Sequence, residues 1–254
     1  MWIPEFLYSL YERMLEAEID SAAVPAHVGI ILDGNRRWAK ALGTSAANGH
    51  RKGADHVSEV LGWCEAAGIK IVTLWMLSTD NLSRAAAELN DLIGIIGDAV
   101  DTLADSGRWN VRVLGDLSLL PEQAAQRLEA AAARSVKAPE AMMVNVAIGY
   151  GGRQEVTQAV REYLLERAAA GETLEDVANS LSINEISDHM YTAGQPDPDL
   201  IIRTSGEQRM SGFMLWQTVH TELYFCETYW PDFRRVDFLR AIRDFSTRDR
   251  RMGK

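Results

Sequence analysis

The sequence predicts one α/β domain built on a mainly parallel, six-stranded sheet flanked by helices. Short apolar runs alternate with longer segments of helical periodicity along the chain, as in strand–helix–strand units. No linker, internal repeat or low-complexity tract interrupts this alternation. A chain of 254 residues is long enough for one large α/β domain and short for two. Right-handed crossovers would then place helices on both faces of the sheet.

The predicted elements follow one another in a regular order. The strands are the apolar runs at residues 27–33, 69–76, 111–114, 143–148, 200–202 and 222–225. The helices lie between or after them, at residues 54–67, 86–104, 121–135, 153–169 and 236–245. Because strands and helices alternate throughout, residues 25–254 are assigned to a single domain.

An amphipathic helix is predicted within residues 1–24, ahead of that domain. Apolar side chains recur at helical spacing between residues 3 and 19. Such a helix packs on its own domain or on a partner subunit, or it lies on a membrane surface. The first two alternatives are favoured, because anionic lipid would repel the polar side with Glu5, Glu12, Glu16 and Glu18.

Composition excludes some classes of function. A net charge of −10 argues against a sequence-blind nucleic-acid binder, which would carry a basic stripe. No run approaches the roughly 20 apolar residues of a membrane span, and we find no secretory signal. Cys64 and Cys226 lack metal-ligand spacing, and we expect two buried thiols in a reducing cytosol. The protein is therefore predicted to be cytoplasmic, with peripheral membrane contact through the first helix left open.

Polar segments that directly follow apolar runs are the candidate functional residues. In an open parallel sheet, ligands bind at the carboxyl ends of the strands. The segments 33–35, 78–81, 149–153 and 203–206 each follow a predicted strand, so they should meet on one rim. Glu222 stands at the start of the last run, and the pattern does not decide whether it reaches the rim.

The segment 33–38 has the composition of an anion site. Gly34 permits close approach of the backbone, and Arg37 adds a cationic group that matches phosphate oxygens. Asp33 would repel a phosphate unless a divalent cation lies between them, and Mg²⁺ is typically held by one or two carboxylates plus diphosphate oxygens. The alternative is that Asp33 caps the following helix.

Residues 203–211 form a second basic cluster. Arg203 and Arg209 alternate with hydroxyl side chains and Gly206, which suits a second diphosphate. The alternative is a polar loop whose arginines pair with Glu207.

Two further groups carry weaker indications. Residues 78–84 place polar side chains directly after an apolar strand, which suits a substrate with a polar head and an apolar body; a helix cap at Ser83 is the alternative. His50 is either a residue near a helix start or a hydrogen-bond donor to a diphosphate. The chain contains neither a P-loop nor a Gly-x-Gly-x-x-Gly motif, so nucleotide binding has no support.

From about residue 25 to its C-terminus the sequence resembles the cis-prenyltransferases, the undecaprenyl diphosphate synthase-like or Z-isoprenyl diphosphate synthases. The motifs that carry the resemblance lie at 27–38, 49–50, 77–84, 145–153, 202–211, 215–217, 222–225, 230–233 and 248–253. The aspartate-rich motif of trans-prenyl synthases is missing, because the chain has no adjacent Asp-Asp pair.

The resemblance implies a role for each motif. Asp33 would be the catalytic aspartate and a Mg²⁺ ligand, with Glu222 completing the metal environment, and Asn81 occupies a position often assigned to deprotonation. The allylic diphosphate would be held by Gly34, Asn35, Arg36, Arg37 and His50, with Trp38 nearby. Isopentenyl diphosphate would be held by Arg203, Arg209, Met210 and Ser211. The substrate loop would comprise Ser78, Thr79, Asp80, Leu82 and Arg84. The family works as dimers, and Arg251-Met252-Gly253 resembles a C-terminal motif that reaches the neighbouring subunit's site.

Three departures from the long-chain pattern bear on the product. Ala46 stands where long-chain enzymes usually have an arginine, and Leu82 replaces an expected Trp. Met76 occupies a tunnel-wall position that is small in long-chain members, and a large side chain there should block the channel beside residues 86–104; plain core packing is the alternative. These features resemble the short-chain actinobacterial branch, which extends geranyl diphosphate to Z,E-farnesyl diphosphate. A long-chain polyprenyl synthase and a non-catalytic prenyltransferase-like subunit are the competing interpretations.

Overall fold

The structure, a computed structural model, describes residues 5–248 of the chain. Its sheet has six strands: β1 (His27–Ile31), β2 (Ile71–Ser78), β3 (Asn110–Leu114), β4 (Met143–Tyr150), β5 (Leu200–Arg203) and β6 (Glu222–Phe225). They lie in the order β3-β4-β2-β1-β5-β6, and every neighbouring pair is parallel. The predicted six-stranded α/β fold is confirmed.

The helices are more numerous than predicted. They are α1 (Glu5–Glu18), α2 (Asn35–Ala41), α3 (Ala46–Ala66), α4 (Ala86–Asp105), α5 (Glu122–Arg134), α6 (Gly152–Ala169), α7 (Leu174–Ser180), α8 (Ile183–Asp188) and α9 (Arg235–Ser246). Helix α3 begins at Ala46 rather than at residue 54, because Ser45 caps it by accepting a hydrogen bond from the Asn48 amide. The short helices α7 and α8 lie outside the predicted helical segments, whereas α2 is the helix expected after the turn at residues 33–34.

The two faces of the sheet are covered unequally. Val28 and Ile30 point into the main core, which also contains buried residues of α3, α4 and α9. Ile31 points to the other face, where a smaller cluster includes Phe213 stacked on Trp75 at 5.1 Å between ring centroids. This alternation along β1 is the period of two expected of a strand buried on both faces.

Helix α1 packs against α9. Its Leu15 side chain is buried, its Tyr8 hydroxyl accepts a hydrogen bond from Arg234 at 3.0 Å, and Glu18 pairs with Arg243 at 3.2 Å. The helix therefore packs on its own domain, one of the two favoured alternatives. Its predicted first residues, 3 and 4, lie outside the described residues. Within residues 5–248, no helix combines the length and the apolar character that crossing a bilayer requires.

The strand order places a crevice over the middle of the sheet, at the carboxyl ends of β1 and β5. Strand β1 lies between β2 and β5 in the sheet. After β1 the chain continues to β2 on one side, and after β5 it continues to β6 on the other side. Such a reversal of strand order opens a crevice at the carboxyl ends.

Cys64 and Cys226 are both buried free thiols, as predicted.

Candidate active site

A cavity of about 530 Å³ opens at the carboxyl ends of β1, β2 and β5. The predicted site residues that line it are Asp33, Gly34, Asn35, Arg36, Arg37, His50, Met76, Ser78, Asp80, Asn81, Arg84, Arg203, Arg209 and Ser211. Five predicted residues do not line it: Trp38, Thr79, Leu82, Met210 and Glu222. The polar residues gather at the mouth of the cavity, and apolar residues of α3, α4 and β2 form its floor.

The turn after β1 presents Asp33 to the cavity. The Asp33 amide donates to Thr204 Oγ1 at 3.0 Å, which joins this turn to the segment after β5. Gly34 has a φ of +109°, and a Cβ at this residue would lie 2.8 Å from the Tyr229 ring. Gly34 is also the residue that caps α2, without a side-chain hydrogen bond. The alternative role of Asp33 as the helix cap is therefore wrong, and its carboxylate has other partners.

Those partners are arginines from both predicted anion sites. Asp33 Oδ2 accepts a hydrogen bond from Arg203 Nη2 at 2.8 Å, and Oδ1 accepts one from Arg37 Nη2 at 3.1 Å. Burial opposes ionisation of this carboxyl, but the hydrogen bonds and charges of the two arginines outweigh it and lower its pKa below the ordinary value. Arg203 also donates to Ser211 Oγ at 3.0 Å. The turn of Asp33 and the loop of Arg203 thus lie on the same side of the molecule.

Glu207 extends this contact into a longer row of charges. Its carboxylate accepts a hydrogen bond from Arg37 Nη1 at 2.9 Å and pairs with Arg209 on its other oxygen. The row Arg203–Asp33–Arg37–Glu207–Arg209, here called the ionic chain, therefore alternates in sign across the mouth. The predicted ion pair between the loop and Glu207 does form, and it does so inside the cavity. Glu207 was not among the predicted site residues.

Helix α3 brings His50 to the same mouth. A Cβ at Gly49 would lie 2.2 Å from the backbone carbonyl oxygen of Asn35, so a glycine is needed where α3 meets the turn. His50 Nε2 is buried and has no hydrogen-bond partner within residues 5–248. Burial and the charge of Arg84 lower the pKa of His50 to about 4. The ring is therefore neutral at pH 7, with an unpaired nitrogen in the cavity wall.

The loop after β2 folds into a 3-10 helix, Thr79–Ser83. Ser78 Oγ accepts a hydrogen bond from the Asn81 amide at 3.1 Å, so Ser78 caps this turn. Ser83 donates to the carbonyl of Asp80, and Ala85 stands at the start of α4, so the predicted cap at Ser83 is wrong. The Asn81 side-chain oxygen accepts a hydrogen bond from Arg84 Nη2 at 3.0 Å. This bond fixes the orientation of the Asn81 amide.

The floor of the cavity is apolar, and Met76 lies in it. The register between β2 and β4 shifts between Trp75 and Leu77, so Met76 is the extra residue of a β-bulge. Trp75 and Met76 both line the cavity. Other floor residues are Val57 of α3 and Leu92, Ile96 and Ala99 of α4. The residues of α4 belong to the predicted channel beside 86–104; Val57 was missed.

Glu222 does not join Asp33 within one chain. It begins β6 and pairs with Leu200, whereas Phe225 pairs with Arg203 at the carboxyl end. Glu222 therefore lies at the amino ends of the strands, opposite the rim that carries Asp33, and its carboxylate pairs there with Arg248. Residues 149–153 reach the rim, where Gly151 contacts Thr79, but they do not line the cavity. Arg251-Met252-Gly253 lies outside the described residues.

Two observations bear on a metal. No cluster of three or more His, Cys, Asp or Glu side chains suited to a metal ion occurs within residues 5–248. Asp33, however, is a single ionised carboxylate that lies in the cavity between arginines of two loops. This arrangement fits Mg²⁺, which can take one protein carboxylate and complete its coordination with phosphate oxygens and water.

Known proteins resemble the whole chain. A family profile described as putative undecaprenyl diphosphate synthase matches residues 31–253. The "(2Z,6E)-farnesyl diphosphate synthase" of Thermobifida fusca is 54% identical over 248 residues, covering 97% of each protein. A protein of the same name from Mycolicibacterium smegmatis is 48% identical over 256 residues, covering 99% of this chain and 97% of that protein.

A solved structure agrees with this sequence similarity. Lavandulyl diphosphate synthase from Lavandula x intermedia, in complex with dimethylallyl diphosphate, superposes with a TM-score of 0.83 and 32% sequence identity. The superposition covers 92% of this chain and 100% of that one.

Proposed function

Because the chain belongs to the prenyltransferase family described as undecaprenyl diphosphate synthases, we propose that it is a short-chain cis-prenyltransferase. It condenses isopentenyl diphosphate with an allylic diphosphate, geranyl diphosphate by preference, to give Z,E-farnesyl diphosphate. Relatives named for this product share about half of their residues with the chain over nearly its full length. A relative of known structure holds an allylic diphosphate.

One observation carries the proposal: a single cavity has a mouth of arginines around Asp33 and an apolar floor that contains Met76. Arginine is the side chain best suited to diphosphate oxygens, because its planar donors match their geometry. An isoprenoid chain needs apolar surface instead. A ligand that extends from this mouth to this floor therefore has an anionic head and a hydrocarbon tail.

The two diphosphates are assigned to the two halves of the mouth. Arg36, Arg37 and His50, from α2 and α3, bind the allylic diphosphate beside the turn of Gly34 and Asn35. Arg203, Arg209 and Ser211 bind the diphosphate of isopentenyl diphosphate. The contacts of Asp33 with Arg37 and Arg203 bring both halves within reach of one carboxylate.

Catalysis in this site is electrostatic. Breaking the allylic C–O bond leaves a delocalised cation and a departing diphosphate, and the guanidinium of Arg37 stabilises the charge that develops on the leaving group. Asp33 would hold Mg²⁺, which when bound adds electrophilic stabilisation of the same charge. The apolar floor excludes water from the cation, and its walls orient the tail while the double bond of isopentenyl diphosphate attacks.

Loss of a proton from C2 of isopentenyl diphosphate completes the new double bond. An amide is a poor base, so Asn81 is assigned an orienting role in the loop of Ser78, Asp80 and Arg84. Its oxygen is already engaged by Arg84 at 3.0 Å, which leaves its NH₂ group to donate to a substrate oxygen. A diphosphate oxygen is the proposed proton acceptor.

The cellular setting and assembly belong to the same proposal. Two buried free thiols suit a reducing cytosol. A homodimer is expected from the family resemblance, with Arg251-Met252-Gly253 near the partner's site. Glu222 lies away from Asp33 in its own chain and does not line the cavity. A role of Glu222 as a metal ligand would therefore need a site outside this cavity.

Product analysis tests the proposal. The enzyme is incubated with labelled isopentenyl diphosphate and dimethylallyl, geranyl or farnesyl diphosphate, with Mg²⁺ or with EDTA. We expect geranyl diphosphate to give a fifteen-carbon product with a new Z double bond, and EDTA to abolish the reaction. Products of the long polyprenyl class would favour the long-chain alternative, and an absence of condensation with every primer would favour a non-catalytic subunit.

A further inference from the structure

Glu207 is, beside Asp33, a second anionic link between the two halves of the mouth. It pairs with Arg37 on one side at 2.9 Å and with Arg209 on the other. Each arginine belongs to a different proposed diphosphate site. The Glu207 side chain is about a quarter exposed, whereas its two partners are about half exposed (26%, 42% and 62%). All three side chains are therefore free enough to exchange partners.

A diphosphate that approaches the Nη1 group of either arginine competes with the Glu207 carboxylate, which already accepts a hydrogen bond from it. The donors of a guanidinium point in fixed directions, so an anion bound at Nη1 leaves no room there for a second one. Asp33 is different, since it is also held by Arg203, whose side chain is only 6% exposed. Glu207 thus has the weaker hold and is the carboxylate that a diphosphate displaces.

We propose that Glu207 is an internal competitor for diphosphate, which weakens the binding of inorganic pyrophosphate and so speeds its release after each condensation. This inference rests on the proposed function. As pyrophosphate leaves, the Glu207 carboxylate returns to Arg37 and Arg209 and restores its ion pair with each guanidinium. The opposite role is that Glu207 positions the two arginines for their substrates, and the two roles predict changes of opposite sign.

The test is the affinity of Glu207→Gln for inorganic pyrophosphate in the presence of Mg²⁺, measured by calorimetry on the full-length enzyme. Glutamine keeps the shape of the side chain and removes its charge. We expect the Kd for pyrophosphate to fall about five- to tenfold, as the loss of two partly exposed ion pairs allows. The inhibition constant of pyrophosphate in the condensation assay should fall by the same factor.

Glu227→Gln is the matched control. Glu227 is an exposed carboxylate near Gly206, in the same region, but it is not a member of the ionic chain. Its substitution makes the same change in net charge, and we expect less than a twofold change in Kd. An equal gain in both variants would indicate general electrostatics and overturn the inference.

The remaining outcomes separate this inference from the proposed function. Unchanged or weaker pyrophosphate binding by Glu207→Gln, in an enzyme whose wild type binds pyrophosphate and transfers prenyl groups, overturns the competitor role alone. A wild type that neither binds pyrophosphate nor transfers prenyl groups overturns both.

Discussion

The mouth and the floor of the cavity are built from opposite kinds of residue. At the mouth, five charged side chains alternate in sign, and four of them are at least a quarter exposed. In the floor, Val57, Leu92 and Ile96 are almost fully buried and Met76 is partly buried. The charges of the mouth come from the end of β5, the first turn of α2 and the loops that follow β1 and β5, whereas the floor comes from β2 and two long helices.

This difference separates two properties of the reaction. Charges at the mouth determine whether a diphosphate binds and leaves, because the arginine donors lie there and the apolar floor offers none. The space in the floor determines how long a tail can be buried, because a packed interior tolerates extra methylene groups poorly. A substitution in one region should therefore change one property and leave the other unchanged.

The largest effect is expected at the mouth. Replacing Asp33 by Asn removes the negative charge that lies between Arg37 and Arg203 and that would hold Mg²⁺. We expect kcat to fall by about 10²–10³-fold, the size of effect seen when one electrostatic stabiliser is removed. The residual product should still have fifteen carbons. Steady-state kinetics and product chromatography on the same samples measure both properties.

Protein stability needs a control in that experiment. The Asp33→Asn substitution would leave the nearly buried guanidinium of Arg203 without its carboxylate, which destabilises the fold. Added pyrophosphate should recover part of the lost thermal stability by supplying an anion to the same arginines. A variant with normal turnover, or one whose product changes in length, would break the separation between mouth and floor.

The second effect is expected in the floor. Met76→Ala should lengthen the product by at least one isoprene unit, because it opens space beside Leu92 and Ile96. The affinity for pyrophosphate should change less than twofold. Stability should fall by about 2 kcal/mol, the lower part of the range for truncating a core methionine. Chromatography of the labelled product gives the chain length.

Met76→Leu is the matched control for this variant. Leucine nearly conserves the volume of methionine, so the fifteen-carbon product should persist. If Met76→Ala yields the same product as the wild type, then Met76 only packs the core and does not limit the chain.

The smallest effect concerns the border of the two regions, where His50 lies partly buried near Arg84. Its pKa is about 4 in the folded protein against 6.5 ordinarily, so the unfolded chain binds more protons between these two values. His50 therefore makes the free energy of unfolding rise with pH from 4 to 6.5, by on the order of 3 kcal/mol at most. Above pH 6.5 it contributes no further change.

His50→Gln should flatten this part of the pH profile. Urea unfolding of the wild type and the variant between pH 4 and pH 8 measures the difference. Parallel profiles would show that folding leaves the pKa of His50 unchanged, contrary to the lowered pKa expected from its environment.

Much of this arrangement follows from the sequence, because one rule connects distant residues. Asp33 and Arg203 are 170 residues apart, yet Asp33 ends one predicted apolar run and Arg203 directly follows another. Parallel strands align their carboxyl ends, so the two residues were expected on the same rim. The same rule did not decide whether Glu222, at the start of its run, reaches this rim. The structure places Glu222 at the amino ends of the strands, away from the rim.

Other features depend on contacts that a local pattern does not contain. The bulge at Met76 arises from the pairing of β2 with β4, and Val57 reaches the floor because α3 packs closely against the turn at Asn35. Glu207 reads as an ordinary loop acid, and only the approach of Arg37 from α2 makes it part of the mouth. The roles assigned to Trp38, Thr79, Leu82 and Met210 stay predictions, since these residues lie outside the cavity lining.

The central claim is that two diphosphates bind side by side at this mouth, with Asp33 between them and a hydrocarbon tail in the floor. The most direct test is a crystal structure with Mg²⁺, isopentenyl diphosphate and an unreactive thio analogue of geranyl diphosphate. The account predicts one diphosphate on Arg37 and His50, the other on Arg203 and Arg209, and the tail ending at Met76. Diphosphates on different sides of the sheet, or a tail that bypasses Met76, would contradict it.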